Sequence, residues 1–224
     1  VYDIFDKDLY KRVFHINNCP IVSNLVSVEL ATLYALTLCF FALLILLNFN
    51  TYTIILALGS MPLAFTYPLM KRFTYWPQLF LGITFNYGLI LGWTAIKGQI
   101  DIVTIIFYLG AIFWTLGYDT IYGFQDIKDD EIIGLKSTSI KFKNNPHNFL
   151  YLCYSIFLLI LFTIGIVMEL NKFYYLLFIL IFLQIYYFQL KRLSIQNSEK
   201  CLTIFKSNNF LGLLVFLSLI IGKI

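Results

Sequence analysis

Apolar residues in this chain fall into seven runs, at roughly 27–48, 52–70, 77–96, 102–121, 147–169, 172–190 and 205–222. Each is close to the ~20 residues a helix needs to cross the hydrocarbon core of a bilayer. Polar segments separate the runs, and two of these are long, 1–26 and 119–146. The pattern predicts an all-α fold: a polytopic bundle of about seven transmembrane helices packed as a single membrane-embedded domain over residues 1–224. No soluble domain, Gly/Ser linker or low-complexity tail interrupts it. Composition strengthens the reading. Hydrophobic residues make up 60% of the chain and charged residues 12%, where a soluble domain carries about 25% charged residues. A soluble fold of this size has too little interior to hide that much apolar surface.

If the spans alternate in direction, Lys7, Lys11, Arg12, Lys71, Arg72, Lys128, Lys136, Lys141, Lys143, Lys191, Arg192, Lys200 and Lys206 collect on one face of the membrane. The other face receives only Lys97, Lys172 and Lys223. Basic residues concentrate on the cytosolic side, so the first face is expected to be cytosolic, in a bacterial inner membrane. The net charge of +4 is modest, and no nucleic-acid partner is expected. Cys19, Cys39, Cys153 and Cys201 are scattered without metal-binding spacing, which argues against a disulfide framework or a zinc site.

Most carboxylates share the basic face, although acidic residues have little influence on topology. Asp119, Tyr122, Asp126 and Asp130 stand at offsets 0, 3, 7 and 11. On one continuous helix, at about 100° per residue, they form a narrow stripe at the mouth of the bundle. Like charges so placed repel one another, and a cation would offset the repulsion. Hard oxygen donors without His or Cys suit Mg²⁺, which keeps several waters and shares its shell with substrate phosphate. A solvated helix end, with its acids paired to Lys128 and Lys136, is the simpler alternative. A second acidic cluster weighs against it. Asp3 and Asp6 lie on the same membrane side in the charge-rich opening segment Val1–Arg12. Two such clusters facing each other could hold a diphosphate through Mg²⁺, with apolar bundle walls accepting a lipid tail.

At these residues the chain resembles the UbiA superfamily of membrane prenyltransferases. Asp119 to Asp130 matches that family's DxxYAxxDxxxD motif except for Gly123 in place of Ala, and Gly134-Leu-Lys-Ser-Thr138 is similar to the GxKST that follows it in the members acting on 4-hydroxybenzoate. Tyr67 to Gln78, with Leu81-Gly82 and Phe85-Asn86, resembles the same branch. The family's first motif, NDxxDxxxD, is represented by Tyr2, Asp3, Asp6 and Tyr10, so two of its polar positions are tyrosines. The family has nine helices; the resemblance implies that this chain lacks the first two.

The resemblance further implies transfer of a polyprenyl group from polyprenyl diphosphate to 4-hydroxybenzoate, a step in ubiquinone synthesis. Membrane lipid is the expected surrounding. Asp3, Asp6, Asp119, Asp126 and Asp130 are then expected to hold Mg²⁺ on the diphosphate, and Lys136 to contact it. Arg72, beside Lys71, is a candidate for gripping the benzoate carboxylate, and both basic residues have an alternative as membrane-face anchors. Tyr122 is a candidate for facing the allylic cation or orienting the metal ligands, or else is a packed interfacial tyrosine. Asn86 either bonds substrate or links two helices. Three other readings stay open: a related transferase with a different acceptor, an inactive remnant, and a transporter. A transporter calls for ionisable groups at mid-membrane, whereas nearly all the acids here lie at one face.

Overall fold

The computed structural model describes residues 26–224, which are helical with no strand among the described residues. In chain order the helices are α1 (Val28–Leu46), α2 (Thr51–Thr66), α3 (Met70–Phe73), α4 (Pro77–Phe85), α5 (Tyr87–Lys97), α6 (Ile102–Gly123), α7 (Ile127–Ile133), α8 (Thr138–Lys141), α9 (Pro146–Val167), α10 (Lys172–Leu183) and α11 (Ser198–Lys223). A 3₁₀ turn at Tyr67–Leu69 joins α2 to α3, and a π-helical segment, Gln184–Leu190, continues α10. Among the described residues, seven stretches are long and apolar enough to cross a membrane: Val28–Leu46, Thr51–Phe73, Pro77–Lys97, Ile102–Gly123, Pro146–Val167, Lys172–Leu190 and Ser198–Lys223. These are the seven runs read from the sequence. The last begins earlier than its apolar run, because Asn197 caps it by accepting a 2.9 Å hydrogen bond from the Lys200 amide. Two polar turns thereby join the helix.

The chain divides into two compact units at the Met61–Pro62 step inside α2. In the first, Ser27 caps α1 by accepting from the Leu30 amide at 3.2 Å, and Asn50 accepts from the Thr53 amide at 2.9 Å. In the second, α6 is the central helix, packed against α4, α5, α9 and α11. Glycine makes one of these approaches possible: a Cβ at Gly117 would meet the Tyr154 ring at 3.1 Å. Trp114 of α6 stacks on Phe157 of α9 at 5.3 Å. The buried core includes Leu150, Tyr154, Phe157 and Leu161 of α9, Tyr174 and Ile181 of α10, and Leu211 of α11. Leu152, Leu159, Leu176, Ile179 and Phe216 point outward and exposed, as expected of side chains that face lipid.

Polar groups inside the bundle are paired, which matters where no water is available to satisfy them. The Tyr154 hydroxyl donates to Gln189 Oε1 at 2.5 Å, and Gln189 Nε2 donates to Gln184 Oε1 and to Asn208 Oδ1, each at 3.1 Å. Trp114 Nε1 donates to the same Asn208 oxygen at 2.9 Å. Gln184 and Gln189 are five residues apart, the repeat of a π-turn. The π-helical register is what places them on one face.

Candidate active site

The helix carrying the acidic motif is not continuous. α6 ends at Gly123, residues 124–126 form a turn, and α7 starts at Ile127. The single stripe expected from Asp119 to Asp130 is therefore corrected to two helical segments meeting at a bend. The turn is held by short-range backbone bonds: the Phe124 amide to the Ile121 carbonyl at 3.3 Å and the Asp126 amide to the Gly123 carbonyl at 3.3 Å. Packing accounts for the glycine at the end of α6. A Cβ on Gly123 would run into the Ser139 hydroxyl, which itself donates to the Thr120 carbonyl at 2.8 Å.

Despite the bend, Asp119, Asp126 and Asp130 line one cavity of about 140 Å³, together with Tyr67, Lys71, Gln78, Tyr122 and Gly123. Asp119 is half-buried, and Asp126 is exposed. Asp126 occupies the N-cap position of α7, yet its side chain does not cap the helix. Lys71 acts electrostatically on Asp119, and Asp119, Asp126 and Lys71 all act on the Tyr122 phenol. The cavity thus brings together three carboxylates, one ammonium and two phenols at the end of a membrane span.

The segment after α7 positions this group. Gly134, at φ +78°, ends α7, with the Leu135 amide bonding to the Asp130 carbonyl at 2.9 Å and the Gly134 amide to Glu131 at 3.2 Å. That is the Schellman closure, for which glycine is suited because it adopts positive φ at little cost. The Lys136 amide then bonds to the Lys71 carbonyl at 2.9 Å, and Gln78 Oε1 accepts from the Thr138 amide at 2.9 Å. The hydroxyls of Thr138 and Thr120 are 2.6 Å apart. Ser137, Thr138 and Ser139 are all buried. The Gly134–Thr138 motif is a clasp, exposed at Gly134 and buried at Ser137 and Thr138, that ties α3, α4 and α6 together beside the cavity.

The expected site residues divide on position. Asp119, Tyr122, Asp126, Asp130 and Lys71 converge. Lys136 does not line the cavity: its ammonium donates to the Phe73 carbonyl at 3.3 Å and lies 5.6 Å from the Tyr75 ring. Arg72 is exposed on α3 beside Lys71 and is not part of the lining. Asn86 links helices, donating to the Gly82 carbonyl at 2.8 Å, the Ala111 carbonyl at 3.3 Å and the Thr115 hydroxyl at 2.7 Å. Asp3 and Asp6 lie outside the described residues.

Asn86 also borders a second cavity, about 460 Å³, with Phe85, Trp114, Thr115, Tyr118 and Phe205. The Phe205 ring sits 4.6 Å from Tyr122 and 5.8 Å from Tyr118, and Tyr118 sits 5.8 Å from Trp114. An aromatic wall therefore runs from the polar cavity into the bundle. Tyr67, Gln78 and Phe205 were not singled out from sequence. Gln78 lies in a recognisable segment, but nothing in the spacing of Phe205 marks it.

The donor set is all oxygen, which fits a hard divalent cation. Among the described residues no three acidic, imidazole or thiol side chains lie close enough to hold a metal alone. An incomplete protein shell suits Mg²⁺, which takes one or two carboxylates and fills the remainder with water and phosphate oxygens.

Residues 3–220 match the UbiA prenyltransferase family. The mitochondrial 4-hydroxybenzoate polyprenyltransferase of Homo sapiens is 40% identical over the whole of this chain, and the chain spans 60% of that relative's length. The 4-hydroxybenzoate octaprenyltransferase of Francisella tularensis subsp. novicida is 37% identical, again over the whole chain and over 78% of its own. Among solved structures, an apo UbiA homolog from Aeropyrum pernix K1 superposes with a TM-score of 0.75 at 19% identity, covering 100% of this chain and 83% of that one. A chain described with digeranylgeranylglyceryl phosphate synthase gives a TM-score of 0.72, also at 19% identity, covering 99% and 78%. At that identity the structural likeness speaks for the fold.

Proposed function

This chain belongs to the UbiA prenyltransferase family, and from that premise we propose that it transfers a polyprenyl group from polyprenyl diphosphate to the ring of 4-hydroxybenzoate, in ubiquinone biosynthesis. The observation that carries the reading is the cavity at the end of α6, where Asp119, Asp126, Asp130 and Lys71 line one polar space beside an aromatic wall. Curated relatives named for this reaction supply the acceptor and donor classes.

Asp119 and Asp126 would hold Mg²⁺, with Asp130 supporting its shell through water, and the ion when bound would offset the charge of the diphosphate and make it a better leaving group. Lys71, which lines the same cavity, adds a positive charge. The allylic C–O bond breaks with its electron pair leaving on the diphosphate. The ring carbon beside the acceptor hydroxyl then forms the new C–C bond, and the ring regains aromaticity by releasing a proton to solvent at the cavity mouth. Tyr122, against Phe205, offers a π-face to the allylic cation, an interaction worth about 2 kcal/mol when desolvated. Tyr118, Phe205 and Trp114 line the path by which the tail leaves the polar cavity and keep water from that cation. Asn86 positions Thr115 on this path through their 2.7 Å hydrogen bond.

The active end faces the side that carries most of the basic residues, which we assign to the cytosol of a bacterial cell. Replacing Asp119 or Asp126 with Ala is expected to lower Mg²⁺-dependent prenylation in membranes by at least about 100-fold. Near-normal turnover by both variants would sink the metal-site assignment.

A further inference from the structure

At the same end of the bundle, between the π-helical segment and α11, lies a separate cavity of about 490 Å³ that the prenyl transfer does not use. Lys191, Arg192 and Lys200 line it, and its apolar side is made by Phe188, Leu193 and Ile204. The π-register bond from the Lys191 amide to the Tyr186 carbonyl, 3.0 Å, closes the segment that carries the first two cations. The Arg192 guanidinium lies 4.8 Å from the Phe188 ring and the Lys191 ammonium 5.4 Å from the Tyr187 ring, so aromatic faces steady both charges where these residues line the cavity. Among the described residues, none of the three cations is ion-paired with a carboxylate. Interfacial anchors serve their purpose scattered around a bundle; these three converge on one concave space.

We propose that this cavity binds the phosphate headgroup of an anionic phospholipid. Three cations supply the charge and hydrogen-bond donors a phosphate needs. A soluble phosphate has no use for a wall of Phe188, Leu193 and Ile204, whereas the upper part of an acyl chain does. The neighbouring Leu183 and Tyr187 are exposed and apolar, and give such a chain a surface to follow. The site also reaches the reaction: Thr203 and Ile204 border it, while the next residue, Phe205, packs on Tyr122. An occupied headgroup site would steady the first turns of α11 against the active cavity.

The test is native mass spectrometry of the chain released from mixed micelles holding equal amounts of phosphatidylglycerol and phosphatidylcholine. The wild type is expected to retain phosphatidylglycerol preferentially, and Lys191→Gln/Arg192→Gln/Lys200→Gln to lose that preference by about tenfold or more. Lys141→Gln/Lys143→Gln removes two charges from the same end outside the cavity and should keep it. If the triple variant is poorly folded by circular dichroism, the three single variants carry the test, each lowering the preference in part. Equal retention by wild type and cavity variants overturns the proposal. So does displacement of phosphatidylglycerol by inorganic pyrophosphate at millimolar concentration, which would reassign the cavity to a soluble anion.

Discussion

Two lysines compete for the diphosphate, and their positions separate them. Lys71 lines the aspartate cavity, whereas the Lys136 ammonium is engaged with the Phe73 carbonyl at 3.3 Å. Lys71→Gln should raise the KM for polyprenyl diphosphate by about tenfold or more, the scale of a lost charge-assisted contact. Lys136→Gln should change it far less; steady-state kinetics with varied diphosphate compares the two. At the opposite end of the bundle Asp101 caps α6. Burial pushes its carboxyl up, but hydrogen bonds from the Thr104 amide (3.1 Å), the Thr104 hydroxyl (3.0 Å) and Trp93 Nε1 (3.1 Å) outweigh that and hold it below its ordinary value of 3.8. A carboxyl with a depressed pKa in the fold stabilises it above its unfolded pKa. That contribution is lost as pH falls below about 3.8 and through the lower folded value. Asp101→Ala should cost about 1 kcal/mol of stability at neutral pH. Its thermal unfolding should lose less stability than the wild type's on acidification across this window.

Among the elements, the clasp from Gly134 to Ser139 decides how the site is held. It bonds to Lys71, Gln78 and Thr120 beside the cavity. Gln78→Leu leaves the buried Thr138 amide without its acceptor, at a cost of about 1–3 kcal/mol. Turnover should fall through misplaced Lys71 and Asp119, with the protein still helical by circular dichroism. Gly123→Ala forces a methyl group against the Ser139 hydroxyl and should cost about 1–3 kcal/mol, read as a lower midpoint of thermal unfolding. The bend after Gly123 was hidden in the sequence. Offsets of 0, 3, 7 and 11 fit an unbroken helix, and the contact that favours glycine comes from a residue sixteen positions further on. The clasp was visible as a motif but not in its role, because Ser and Thr in a polar segment read as exposed until their neighbours are known. Lys136 is near the acids in sequence but does not line their cavity, whereas the distant Lys71 does.

At the scale of the molecule, the membrane architecture was legible because lipid imposes a length and an apolarity that few other environments require. All seven spans of the sequence reading recur as helices. Only the last moved appreciably, where the Asn197 cap draws polar residues into α11. The acidic residues of the site were legible for a related reason: charge is costly near a bilayer, so a cluster at the end of a span stands out. The aromatic wall was not, since Phe and Tyr are common throughout the chain and the partners of Phe205, Tyr118 and Tyr122, lie 87 and 83 residues away. The central claim is that this cavity joins a polyprenyl tail to an aromatic acid with the help of a divalent ion. Its most direct test is mass spectrometry of the products formed by membranes containing this chain, supplied with 4-hydroxybenzoate and a polyprenyl diphosphate, with Mg²⁺ or with excess EDTA. The account predicts a C-prenylated hydroxybenzoate with Mg²⁺ and none with EDTA; no prenylated acid under either condition, or equal product under both, would contradict it.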